Sequence, residues 1–114
     1  DFGDLLYPLL APCGFSDGTR GVFGGGLNSS FVSQNVIQYI TVATPGNATD
    51  FGDLTVTRDS LSGTTNGTRG VLGGGSAGGA SNVIDYITVD TTGNATDFGD
   101  LTVARFQLSG ASGD

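Results

Sequence analysis

The side chains with the most chemistry to offer recur as two sets, Asn47/Asp50/Asp53 and Asn94/Asp97/Asp100, each spaced Asn-x-x-Asp-x-x-Asp. Amide and carboxylate oxygens of this kind are the hard ligands calcium takes, about six to eight per ion. One set supplies only part of such a shell, so calcium competes with a plainer reading in which these residues cap turns and pair with arginine. Metals that prefer nitrogen or sulfur have no histidine and a single cysteine, Cys13, to use. The four arginines recur as well, Arg20 matching Arg69 and Arg58 matching Arg105. Buried charge needs a partner, so structural ion pairs are expected at all four, with Asp50 or Asp53 of a neighbouring unit as the bidentate acceptor.

Catalytic readings find little to stand on. Three copies of Asp-Phe-Gly invite comparison with the kinase magnesium motif, but the chain has no lysine and no His-Arg-Asp loop. The glycine-rich run from Gly21 to Gly26 lacks the Gly-Lys-Ser/Thr ending of a phosphate loop. Paired aspartates can cleave glycosides in principle. Here each pair repeats with the fold, which a structural role explains, and a non-enzymatic protein is expected.

The alphabet also narrows the partners and the fold. All eleven acidic residues are Asp, all four basic ones are Arg, and the net charge is -7. Nucleic acid is excluded as a ligand class, because phosphate binding relies on clustered Lys and Arg. No run approaches the roughly 18 consecutive apolar residues of a membrane helix. Asp and Asn favour turns over helix interiors, and with 21 glycines they argue for an all-β chain. The chain has no Met and reads as a processed product or an excerpt of a longer protein, with no signal peptide visible.

Positioning of the recurring residues falls to a repeat. Asn47–Val56 returns unchanged at Asn94–Val103, and Asp1-Phe2-Gly3-Asp4-Leu5 opens the chain with the same core. Matching sites are 49 residues apart up to Gly26/Gly75 and 47 apart from Asn35/Asn82 onward, so a surface loop lost two residues between Gly75 and Asn82. Periods of this length indicate propeller blades or solenoid coils. The units run 1–49 (atypical), 50–96, and 97–114 (partial).

Within the complete unit, Leu54–Leu61 alternates like a strand, and Asn66-Gly67 predicts a type I′ hairpin turn, with Asp17-Gly18 at the matching place. Arg69–Gly75 reads as the returning strand, ending in glycines that allow close backbone approach. Asn82–Val89 carries bulk on both faces, as in a strand buried between sheets. Each unit thus supplies three strands, and a fourth if the Thr/Asn/Gly connector pairs.

The first unit departs from pattern at Leu6-Tyr7-Pro8-Leu9-Leu10-Ala11-Pro12-Cys13. Terminal units of repeat arrays often meet something else, and prolines suit an edge, so Leu6, Tyr7, Leu9, Leu10 and Cys13 are candidate interface residues. Cys13 could bridge two chains, although burial is the commoner fate of a lone cysteine. Tyr7, Tyr39 and Tyr86 could stack on sugars, with core packing the alternative for the last two. Sequons at Asn28, Asn47, Asn66 and Asn94 read chiefly as turns copied by repetition.

A glycine cluster closing one strand, then a Val-Ile-x-Tyr strand and a Thr/Asn/Gly turn, resembles a Kelch blade; the matching residues are Gly24–Gly26 with Tyr39 and Gly73–Gly75 with Tyr86. The family's tryptophan is absent, Phe51 and Phe98 being the nearest substitutes. The wording of Asn82–Arg105 is also similar to repeats in fibre and virion proteins of marine bacteriophages (cyanophages). These resemblances imply a β-propeller of four-stranded blades in an extracellular or virion protein with a structural or host-contacting, adhesive role, cell-surface carbohydrate being the candidate ligand. A purely structural, self-assembling filament or scaffold subunit is the functional alternative, and a β-solenoid or open β-filament the architectural one.

Two and a third units leave apolar faces uncovered, so closure by oligomerisation is expected. Three chains would give a six-bladed ring and four chains an eight-bladed one. A homotrimer is favoured, since phage fibres are commonly trimeric, with a homotetramer or head-to-tail filament as alternatives. Residues 97–114 would then complete a blade begun by another chain or link to it.

Overall fold

The structure, a computed structural model, describes residues 1–112. Among them there is no helix, and eight strands form two antiparallel four-stranded sheets. The first sheet holds β1 (Cys13–Ser16), β2 (Arg20–Gly24), β3 (Val36–Thr41) and β4 (Thr49–Asp53), each paired with its chain neighbour. The second repeats that order with β5 (Ser62–Thr65), β6 (Arg69–Gly73), β7 (Val83–Thr88) and β8 (Thr96–Asp100). The all-β expectation is met; within one chain the two sheets pack as layers and do not close a ring.

Equivalent residues pair equivalently. Val22 faces Tyr39 as Val71 faces Tyr86, and both sheets slip register at the same point. There Ile37 pairs with Gly52 and Gln38 with Asp50, leaving Phe51 as the extra residue of a bulge; Phe98 is the extra residue in β8. A bulge re-aims one side chain. It turns Phe51 edge-on to Tyr39, with centroids 5.8 Å apart, and Phe98 edge-on to Tyr86 at 6.0 Å.

Two expectations about strands are corrected. Leu54–Leu61 is not a strand but the crossing between sheets: Arg58 N–H donates to the Gln34 carbonyl, and the Arg58 carbonyl accepts from Gly26 N–H. Its alternation of apolar and polar residues reflects a linker with Leu54 and Leu61 buried at either end. The strand comes next, at Ser62–Thr65, where a turn was expected. Its glycine is selected by close packing, because Phe15 of β1 lies against Gly63 and Gly70.

The hairpins occur where expected, with different geometry. Asn66 N–H donates to the Arg69 carbonyl and Asp17 N–H to that of Arg20, so Gly67-Thr68 and Gly18-Thr19 are the central pairs. Only the glycine of each pair has positive φ, whereas type I′ needs it at both central residues, and the N–H groups of Arg20 and Arg69 close the turn onto the side-chain oxygens of Asp17 and Asn66. Asp17 Oδ1 accepts from the N–H groups of Thr19 and Arg20, and these bonds, Arg20 first, hold its carboxyl below the usual range. The connector ending in Thr49–Asp53 does pair, giving the fourth strand, and β8 likewise pairs with β7 in the second sheet. Residues 113 and 114 of the expected third unit lie outside the described residues.

Between the layers sit Cys13, Val22, Ile37, Leu54, Leu61, Leu72 and Ile87, all buried. Neighbouring units also share one backbone bond at a recurring left-handed residue: Ser60 N–H donates to the Ala11 carbonyl and Gln107 N–H to that of Ser60, with φ of 53°, 55° and 55° at Ala11, Ser60 and Gln107.

Cys13 lies inside this core, away from the surface patch it was grouped with. Loss of hydration pushes its thiol up to about 11, outweighing the opposing Gly24 backbone bond and the Arg58 charge. Native protein is expected to resist thiol reagents at neutral pH and to react on unfolding. An unfolded chain releases the thiol proton first, so this contribution to stability is intact below the ordinary thiol value of about 8.5 and is lost as pH rises through about 11. A melting temperature that falls over that window in the wild type, and less in Cys13→Ala, checks it.

Candidate functional site

The strongest polar cluster joins the two layers. Arg58 leaves its backbone on the first sheet and sends its side chain beneath the second, where Nη1 donates to the carbonyls of Gly74 (2.6 Å) and Val83 (2.9 Å) and Nη2 to Asp85 Oδ2 (2.7 Å). Both side chains are fully buried. Asp85 is completed by the hydroxyl of Thr55, 2.6 Å from Oδ1, and the N–H of Thr55, 3.1 Å from Oδ2. The acceptor is therefore Asp85, not Asp50 or Asp53. Its signal was a lone acid among apolar residues at 83–89, on the same alternation as Ile87 and Val89.

In the first sheet Gln38 takes the place of Asp85, and Leu9 that of Arg58. Gln38 Oε1 accepts from Leu6 N–H at 2.7 Å, the counterpart of the Thr55 bond. Charge is thus absent from both members of the pair at once, which is what burial requires.

Arg20 and Arg69 do other work. Each guanidinium stacks 4.3 Å from the ring centroid of Tyr39 and Tyr86 respectively, a cation–π arrangement, and Arg20 Nη1 also reaches the Val89 carbonyl of the second sheet. Arg105 is exposed. Among the described residues the ion pair formed is that of Arg58.

The Asn-x-x-Asp-x-x-Asp sets lie on β4 and β8 and on the connectors that lead into them. Asn47 Oδ1 accepts from Asp4 N–H and Asn94 Oδ1 from Asp53 N–H, while Asp50, Asp53, Asp97 and Asp100 are exposed. Among the described residues no group of three or more acidic, Cys or His side chains is placed to hold a metal. A further buried acid, Asp59, accepts from the hydroxyls of Ser33 (2.7 Å) and Ser60 (2.9 Å), tying a rim loop to the crossing.

Two shallow grooves occupy matching places. One, of about 290 Å³, is lined by Tyr39, Thr41, Thr44, Asn47 and Thr49; the other, of about 200 Å³, by Tyr86, Thr88, Thr91, Asn94 and Thr96. The first is just below and the second well below the roughly 300–1,000 Å³ of drug-sized sites, and the lining of hydroxyls, amide and aromatic suits one small polar ring. Of the N-terminal patch, Leu6, Tyr7 and Leu10 are exposed and Leu9 is half-buried. No family model matches this chain, and no curated protein matches it.

Proposed function

We propose that the chain is a non-enzymatic structural and adhesion module of an extracellular or virion fibre, built from Kelch-like propeller blades and contacting cell-surface glycans. Support for the blade reading comes from the two up-and-down four-stranded sheets with matching registers and from a Tyr–Phe edge contact repeated in each, although Phe51 and Phe98 lie farther along the chain than the family's tryptophan. The observation that carries the glycan reading is the pair of Tyr/Thr/Asn grooves, duplicated at a spacing of 47 residues. Two weak sites per chain, multiplied by assembly into a trimer, would bind a sugar-coated surface through avidity.

A glycan array with the purified protein tests this. Thr44→Arg and Thr91→Arg change exposed positions in the two grooves; each is expected to lower apparent affinity roughly 10- to 100-fold and the pair to abolish binding. Absence of binding to any sugar removes the adhesive part of the reading. A structural filament subunit is the second reading, favoured by the large apolar side chains left exposed at both ends, among them Tyr7 and Leu10 at one and Phe98, Val103 and Phe106 at the other.

A further inference from the structure

Three segments of the chain read Asp-Phe-Gly-Asp-Leu, at 1–5, 50–54 and 97–101. Two of them are docked in the same way. The Phe51 carbonyl accepts from Gly93 N–H and that of Asp53 from Ala95 N–H, both at 2.8 Å, while Asp53 N–H donates to Asn94 Oδ1 at 3.0 Å. One unit earlier, the Asp4 carbonyl accepts from Ala48 N–H at 2.8 Å and Asp4 N–H donates to Asn47 Oδ1 at 2.9 Å. In both cases the connector backbone passes where a Cβ would stand, Gly46 against Gly3 and Gly93 against Gly52.

The third segment has the same shape and no partner among the described residues. Gly99 holds φ of 147°, beside 152° at Gly3 and 153° at Gly52, yet nothing lies within 4 Å of the place a Cβ would take. Phe98 is 53% exposed; among its counterparts in the docked segments Phe51, covered by the next unit, is 3% exposed and Phe2, which lies outside any strand, 39%. A backbone conformation that only glycine adopts readily, kept at a site with no neighbour, is shaped for an approach the chain does not make with itself.

We infer that Asp97–Leu101 docks onto the Gly46-Asn47-Ala48 connector of a second copy, in the place filled by that copy's own Asp1–Leu5. The two ligands are identical in sequence, so specificity is equal and competition is decided by concentration. The resident segment is tethered and has the higher effective concentration, which makes it a built-in restraint on assembly. This rests on the self-assembly part of the proposed function and is independent of glycan binding.

Sedimentation velocity of the 114-residue chain over a concentration series tests it. Gly3→Val evicts the resident segment, since its side chain meets the Gly46 carbonyl, and is expected to lower the concentration for association roughly 10- to 100-fold. Adding Gly99→Val should return the protein to single copies. Phe98→Arg, at an exposed position, gives the same result by a route without backbone strain. If Gly3→Val leaves the mass unchanged at every concentration, or if its assemblies survive Phe98→Arg, the inference is overturned. Survival would retain self-assembly and discard only this surface, whereas a negative glycan array would leave both untouched.

Discussion

Arg58→Ala is expected to destabilise the protein by about 3–5 kcal/mol, because it leaves the Asp85 carboxylate buried without its charge partner. Small domains have only about 5–15 kcal/mol in total, so this single change removes a large share of the stability and lowers the melting temperature substantially. The guanidinium also satisfies the Gly74 and Val83 carbonyls, and Arg58→Lys cannot span all three acceptors with one ammonium. The first sheet supplies the rescue. With Leu9 and Gln38 at the matching positions, its own version of the site is neutral, so Arg58→Leu combined with Asp85→Gln should recover most of the loss. Thermal melts of the two single variants and the double variant give the coupling energy. A double variant no more stable than the worse single one would show that the fork to the carbonyls, rather than charge pairing, dominates.

Leu72→Ala is expected to cost about 2–5 kcal/mol. This side chain is fully buried between the layers and abuts Gly24, where an added Cβ would stand 2.7 Å from Leu72 Cδ2. Neither sheet can close the resulting gap alone, since each backbone is held by its own ladder. Gly24→Ala overfills the same contact from the other side, at about 1–3 kcal/mol. Combining the two should cost less than their sum, and chemical denaturation of the three variants measures the difference.

Those two contacts mark where sequence reasoning succeeds and where it stops. Arg69–Gly75 and Asn82–Val89 were legible as strands because branched side chains and terminal glycines report directly on ladders and close approach. Ser62–Thr65 was not, since Ser62 and Gly63 cancel the strand preference of the two threonines and the segment has no apolar alternation; it pairs with β6, and its glycine faces Phe15, nearly fifty residues earlier. Leu54–Leu61 alternates for a reason unrelated to pairing: its buried residues serve two different sheets. For the polar cluster, the recurring arginines were visible, but the acceptor was sought among the most repeated aspartates. Asp85 is unique to one unit, and its importance follows from burial, which a repeat pattern does not encode. The tyrosines were legible as packed residues, while the grooves they line arise from connector geometry.

The shared bond at Ala11, Ser60 and Gln107 carries a last consequence. Each unit gives an N–H to the one before it and offers a carbonyl to the one after, so the series has an intrinsic polarity. Surfaces joined in this way are never self-complementary, and an isologous dimer cannot use them. Any larger body made by extending the contact either returns on itself about a rotation axis or elongates with two chemically distinct tips.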